Sequence, residues 1–534
     1  MNAQYTWLDW SVFGLYFMLL AFVGWYFSRE KSTNTKDYFL GGNTMPIWVV
    51  AISVLATSQS AATFLGGPDQ GYQGNMTYLA SNLGALIGAI FVAAFLIPKF
   101  YQYKVSTVYE FLEIRFGESA KKQAGLMYLF GRIFASGARL YLAAIAVAMI
   151  LFGNISAQSV VLAVLILAVL GLAYSVVGGI RSVIYSDAIQ CVVYIGAALC
   201  VVYFLLQAIP ADWSQIMQAL ENPGNGQISK LTLFDFNLDF TSAGVFSFWS
   251  SITGFVLLNI AAFGLDQDMT QRILTCKNSK EGAKAMIWSV VLVIPVMALF
   301  IFIGLLLYVF YQRPDLMQLS EASQVVQNFE GEKITIFMYY ILNEIPSGVR
   351  GLVTVGVIAA ALSTLNSGLN SMSSVLVQDI YRPYTEKRAK KLNKYFDDKH
   401  FVKAGQFGMV FSALCLALMA ILCFYWQRYT QMPLLAFALS VMVFSYSGLL
   451  GVYFTALFTS RGNKYSVLAS LIVGALVTFS MQPYVLKSIS PALGDINIGF
   501  TWQLCIGTFC AFVICCLGKK QISVEATMKK VLVT

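Results

Sequence analysis

Apolar runs of about 20 residues recur from one end of this 534-residue chain to the other. Each is long enough to cross a hydrocarbon core of about 30 Å as a helix, the form in which a single segment satisfies its own backbone hydrogen bonds. Only 11% of the residues are charged, against roughly 25% in a soluble globular protein. The runs predict an all-α polytopic membrane protein of about thirteen transmembrane helices, at 7–27, 46–66, 78–98, 124–152, 158–177, 186–208, 243–265, 284–311, 350–378, 403–425, 433–459, 465–482 and 499–517. The first run has no basic flank before it and no small-x-small site after it, so it is expected to be retained as a span.

Thirteen spans put the two ends on opposite sides, and the basic residues choose which. With Met1 outside, 25 Lys and Arg fall in loops on the inner side and five (Lys230, Arg313, Lys333, Arg428, Lys487) on the outer. That split follows the positive-inside rule. It predicts a plasma (inner) membrane protein with an outside N-terminus and a cytoplasmic C-terminus. The net charge of +9 then reports topology and implies no nucleic-acid partner. Stretch 379–402 reads as a charged, solvated cytoplasmic linker. Nine cysteines, none in a Cys-x-x-Cys or zinc spacing, read as small packing residues.

Polar groups at membrane depth are costly and mark ion or substrate paths. Residues 361–374, ALSTLNSGLNSMSS, place Ser363, Asn366, Ser367, Asn370, Ser371 and Ser374 on one helical face. Such a stripe can be glue between close-packed helices. With Thr364 it also supplies the neutral oxygens that a hard cation needs. Residues 56–68, ATSQSAATFLGGP, put four consecutive polar side chains inside an apolar run. This predicts a helix that unwinds at mid-depth and is ended by Gly66, Gly67 and Pro68. Unwound backbone is tolerated there only where it lines a site. Arg132 and Arg139 share a face of span 124–152; Arg139, near its centre, should meet an anion, a ring of carbonyls or a wet cavity, either as a substrate-anion site or as a structural pair with backbone carbonyls or a carboxylate. Asp187 opens span 186–208 at its cytoplasmic end, either as a helix-dipole partner or as a cation station.

Setting aside residues 1–45, with the extra N-terminal helix, leaves two blocks of five spans, 46–208 and 243–459, which enter the membrane from opposite sides. Residues 460–534 add two helices and a tail. Each block starts with an interruptible helix, the second at 254–267 with Asn259 and Gly264 inside it. The arrangement predicts a five-plus-five inverted repeat with discontinuous helices, the alternating-access scaffold of many transporters.

DYFLGG (37–42), SQSAATFLG (58–66), YSVVGGIRSVIYSDAIQ (174–190), DMTQRIL (268–274), AALSTLNSGLNSMSS (360–374) and QDIY (378–381) resemble the sodium:solute symporter family, over about residues 7–460. The resemblance implies a LeuT-type fold, sodium as coupling ion, and a sodium site built from the carbonyls of Ala56, Gln59 and Ala360 with the hydroxyls of Ser363 and Thr364. It implies a second sodium position, or an exit path, at Asn366, Ser367 and Asp187, where Asn366 replaces the family's Ser. For the solute it points to Ser58, Ser60, Thr63, Tyr78, Asn82, Arg139, Asn259 and Phe263. The carboxylate-binding Arg of sialic acid members falls at Ser136, one turn from Arg132 and Arg139. The sugar-binding Lys of hexose members has no counterpart.

The expected function is sodium-coupled uptake of a small organic solute by alternating access, leaning to an acidic sugar or other organic anion, with a neutral sugar as the alternative. An enzyme is not expected: the one His, His400, lies in a loop, and intramembrane catalysis needs a nucleophile with a base or a metal with its ligands. The expected partners are the solute and the lipid bilayer, with the chain acting as a monomer.

Overall fold

A computed structural model describes residues 5–29, 34–224, 226–319, 328–329, 332–393, 395–430, 434–490, 494 and 496–519. Met1, Lys31, Lys394, Lys520, Lys529 and Lys530 lie outside these residues, as do the side chains of Lys333 and Arg428. The membrane-depth helices are α1 (Trp7–Ser28), α2 (Ile47–Ser58), α3 (Ala61–Gln73), α4 (Thr77–Gln102), then after the short helix α5 (Glu110–Phe116) α6 (Glu118–Phe152) and α7 (Ala157–Ala208). They continue as α8 (Phe248–Leu265), α9 (Gln267–Ile273), α10 (Ser279–Gln312) and α11 (Val349–Val375), then after the short charged helix α12 (Arg382–Leu392) as α13 (Asp398–Thr430), α14 (Leu434–Phe458), α15 (Lys464–Ser480) and α16 (Phe500–Leu517). Nine helices among the described residues are long and apolar enough to span a bilayer, or eleven if each of two bent pairs is one span. Ala157–Ala173 and Met442–Phe458 are shorter apolar helices, so the expected thirteen are not all reached by this measure.

The first break falls at Gln59 and Ser60, whose backbones are extended (φ −90°, ψ 118° and φ −117°, ψ 173°) between α2 and α3. The local sequence favours it: Thr57 Oγ1 bonds Ser53 O at 2.8 Å and Ser58 Oγ bonds Leu55 O at 2.7 Å, side-chain bonds that compete with the helix ladder. Gly66, Gly67 and Pro68 do not end the helix as expected; α3 runs through them to Gln73. Their small size serves packing against α10. A Cβ on Gly304 would collide with the carbonyl of Pro68, and one on Gly71 with the carbonyl of Ile301, the close backbone approach that small residues allow between membrane helices.

The second break falls at Asp266 (φ −86°, ψ 119°), between the π turn Ala261–Leu265 that ends α8 and the start of α9. Asn259 remains helical and bonds Phe255 O at 2.8 Å.

The expected loop at 178–185 is absent. Two helices meet head to tail at Gly179 (φ +58°, ψ −156°) within α7. Only glycine suits that backbone, and a Cβ there would sit 2.6 Å from the carbonyl of Tyr38. Tyr38 also bonds Val176 O at 2.7 Å, so the DYFLGG segment plugs the kink. The linker expected at 379–402 is mostly helical: α11 continues through the π turn Leu376–Tyr381 into α12. At the far end of α11, Asp9 of α1 accepts from the Gly348 and Gly351 N–H groups, both at 2.7 Å, which satisfies donors that a helix start leaves open.

Candidate ion and solute site

The break in α2–α3, the middle of α6 and the middle of α11 converge on a central cavity. Ser60, Ala61, Ser136, Arg139, Leu140, Ala361, Thr364 and Leu365 line it, and its volume is about 10 Å³, room for a single water. Ser60 leaves the helix, so the Ala56 carbonyl loses its i+4 donor at this depth. Thr364 Oγ1 lies 3.1 Å from Ala360 O. Ala56, Gln59, Ala360 and Thr364 are all buried, and α11 packs against both α2 and α3. Ser363 faces elsewhere: its hydroxyl donates to Asp187 Oδ1 at 2.7 Å.

Asp187 does not sit at an exposed helix end. It is fully buried within α7, and its Oδ2 accepts from Ser53 Oγ of α2 at 2.5 Å and Arg272 Nη2 of α9 at 3.1 Å. Arg272, read from the sequence as a loop residue, is itself fully buried and reaches Asp268 Oδ1 at 3.0 Å. Arg132 pairs with Asp268 and, at 3.0 Å, with Asp266. Tyr446 of α14 donates to Asp266 Oδ2 at 2.6 Å, and Ser367 Oγ lies 3.3 Å from Asp268 Oδ2. Two guanidinium groups thus face three carboxylates, an excess of one negative charge when all are ionised. The network ties α2, α6, α7, α9, α11 and α14 together on one side of the central cavity.

Ser367 joins Asp268 and Asp187 joins Ser363, and Arg272 bonds both carboxylates. Of the eight expected solute residues, only Ser60 and Arg139 line the cavity. Ser58 bonds Leu55 O, Asn82 bonds Leu79 O at 3.0 Å and Asn259 bonds Phe255 O. Tyr78 meets the Phe246 ring edge-on at 4.8 Å, while Thr63 and Phe263 are buried away from the cavity wall. The two arginines part ways. Arg132 is consumed by carboxylates; Arg139 donates to Met442 Sδ at 3.1 Å and pairs with no carboxylate among the described residues.

Sequence reasoning misses Ser53, Asp266, Asp268, Arg272 and Tyr446. A usable signal was there: Arg132 needs an anion at depth, and Asp266 and Asp268 follow a helix that was already expected to break. Breaking a buried pair by removing one partner costs about 3–5 kcal/mol. Arg272→Met is therefore expected to lower thermal stability in detergent by that order, and Arg272→Met with Asp187→Asn to recover much of it.

The family model described as "Sodium:solute symporter family" matches residues 38–474. The chain belongs to the sodium:solute symporter family. As a member it is a multi-pass transporter of small solutes that uses sodium as its coupling ion, and not an enzyme. This symporter is 27% identical over 487 residues to the sodium/sialic acid symporter SiaT of Proteus mirabilis, covering 90% of each chain. It is 28% identical over 398 residues to the sodium/sialic acid symporter NanT of Aliivibrio fischeri, covering 73% of each. It is 27% identical to the sodium/glucose cotransporter of Vibrio parahaemolyticus, covering 71% of this chain and 69% of that one. A solved Na+-coupled sialic acid symporter, in a substrate-bound outward-open state with a novel Na+ site, superposes with a TM-score of 0.80 at 24% identity, covering 97% of this chain and all of that one. At that identity the likeness establishes the fold, a LeuT-like all-helical bundle with discontinuous helices.

Proposed function

We propose that this symporter carries an organic anion of the acidic-sugar class into the cell, with sodium held at the break between α2 and α3. The observation that carries the reading is Arg139: a guanidinium at the wall of the central cavity that donates to the Met442 thioether and meets no carboxylate among the described residues. Burying a cation without an anion is expensive, and a solute carboxylate would supply the missing charge. Ser60, Ser136 and Thr364 on the same wall offer hydroxyls to a polyol. The sialic acid relatives agree with this class.

Sodium takes the carbonyls of Ala56, Gln59 and Ala360 and the hydroxyls of Ser363 and Thr364. Ser363 turns from Asp187 to do so. The excess negative charge of the neighbouring network favours a monovalent cation at this end of the cavity. Bound sodium ties α11 to the break and holds the form that admits solute from outside. Inward release requires the six-helix network around Asp187 and Asp268 to part. One sodium carried with a monoanionic solute moves no net charge, so the drive is the sodium gradient, about 1.4 kcal/mol and tenfold accumulation for each tenfold difference in sodium. The positive-inside rule supports an inner membrane with the N-terminus outside, and the two five-span blocks 46–208 and 243–459 act as the inverted halves. The chain works as a monomer without nucleic acid.

A thermal-shift series with N-acetylneuraminic acid, pyruvate and galactose, each with and without sodium, tests the solute class. The acidic sugar is expected to raise the melting temperature in sodium and not without it. A larger sodium-dependent shift with galactose would replace the anion by a neutral sugar.

A further inference from the structure

The segment just before α8 reads FDFNLDF at 234–240, apolar and polar residues in strict alternation. In an extended chain such alternation sends the two kinds to opposite sides. A loop in water would turn its apolar side inward. This one does the reverse. Phe236, Leu238 and Phe240 are 64, 59 and 52% exposed, while Asp235 and Asp239 are half-buried. Both aspartates bend back onto their own loop: Asp235 Oδ1 accepts from Asn237 N at 3.0 Å, and Asp239 Oδ1 from Thr241 N at 2.7 Å. Single exposed apolar residues are ordinary, but a contiguous row of large ones marks a surface that something covers.

The place of the row points to its cover. The loop rests on the first turns of two membrane-depth helices, α8 and α16. Trp249 of α8 donates its indole N–H to Phe236 O at 3.0 Å, and Trp502 of α16 donates to Asp239 O at 3.2 Å. Gly499 N bonds Phe240 O at 2.8 Å and Ser242 N bonds Asn497 O at 3.1 Å, so the backbone is tied to the start of α16. The exposed residues of α16 are Ile506, Phe509, Val513 and Leu517. They share one helical face, the face that a spanning helix turns to lipid. Trp502 heads that same face, and Phe240 packs on it with ring centroids 4.8 Å apart. Phe236 carries the row on to Phe248, at 5.0 Å, beside the exposed Trp249. The apolar row is thus continuous with the lipid-facing surface.

We infer that residues 234–240 form an interfacial foot, a loop whose Phe236, Leu238 and Phe240 enter the bilayer at the boundary between headgroups and acyl chains, with Trp249 and Trp502 behind them. Tryptophan favours that boundary, its ring in the apolar layer and its N–H on a polar group; here the loop carbonyls are those groups. Amphipathic segments that lie in the interface seat their apolar face about 5–10 Å deep. The aspartates and the backbone stay at headgroup level, where polar groups find partners. The foot leads straight into α8, so it anchors the outer end of the second discontinuous helix. That its leaflet is the outer one rests on the topology proposed above.

The test encodes a dansyl amino acid in place of Leu238 in the full chain, reconstituted in phosphatidylcholine vesicles. Leu238 is exposed, so the probe leaves the packing intact. Its emission is expected to lie to the blue of the same probe at Tyr395, a largely exposed position after α12. It should be quenched more by lipid carrying a doxyl group near the headgroup than by lipid carrying it at the chain end. Water-like emission at Leu238 overturns the foot. A blue shift that no doxyl lipid quenches overturns it too, because it assigns the row to a second copy or another protein. Stronger quenching from the chain end also overturns it, by placing the loop deeper than the interface. With the probe kept in place, Phe236→Ser and Phe240→Ser together should return the emission to that of the Tyr395 position. Emission unchanged by that pair shows that the rings do not hold the loop in lipid and overturns the inference. The quenching reads depth alike in either leaflet, so its outcome is independent of the topology.

Discussion

Replacing Ser363 and Thr364 together with alanine is expected to abolish sodium-stimulated uptake while leaving the folded protein in the membrane. Hard cations are held by oxygens alone, and this double change removes both hydroxyls from the proposed cage while leaving its three carbonyls. The single variants should differ. Thr364 lines the central cavity and its hydroxyl bonds only its own helix, at Ala360 O, among the described residues, so Thr364→Ala should raise the half-saturating sodium with little change in stability. Ser363 donates to the Asp187 carboxylate, a charge-assisted bond of about 1.5–3 kcal/mol, so Ser363→Ala should also lower the melting temperature. Uptake by reconstituted protein at varied external sodium, together with thermal unfolding, reads both. A double variant with unaltered sodium dependence would remove this pair from the coupling site.

Arg139→Ala should reduce solute affinity by roughly 10- to 150-fold, the loss of one charge-assisted bond of about 1.5–3 kcal/mol, with sodium binding retained. Arg139→Lys keeps the charge but loses the planar fork that grips a carboxylate through two parallel bonds, and should fall between. Arg132 is the control. It sits seven residues away on the same helix face, but its guanidinium is held by Asp266 and Asp268, so Arg132→Lys should act on folding first. Sodium-dependent thermal shifts with N-acetylneuraminic acid discriminate these outcomes. An Arg139→Ala protein that keeps parental affinity would rule out an anion at this position.

The sequence carried the break at Gln59 because four polar side chains in a row cannot all leave a continuous apolar helix undisturbed. It carried the α11 stripe because helical spacing is visible in one segment alone. It misread Gly66-Gly67-Pro68, where local breaker signals yield to the close approach of α10. It misplaced Arg272, Asp266 and Asp268 because a charged run after a span reads as a solvated loop when its partners lie 80 to 140 residues away in sequence. Asp187 with Arg272, and Arg132 with Asp266, are such distant pairs; no periodicity announces them. The fate of the two arginines could not be divided from spacing alone, since both lie on one face and only the reach of Asp266 and Asp268 separates them.

The void at the heart of the molecule is no bigger than one water, so no solute of the proposed size finds its berth ready. A solute of that size binds only where the walls stand apart, and its apparent affinity is scaled by the fraction of molecules in that form. Selectivity among solutes then resides in what the parted walls offer, the guanidinium and the hydroxyls. A substitution far from them that loosens the closed form should tighten binding of good and poor ligands by one common factor.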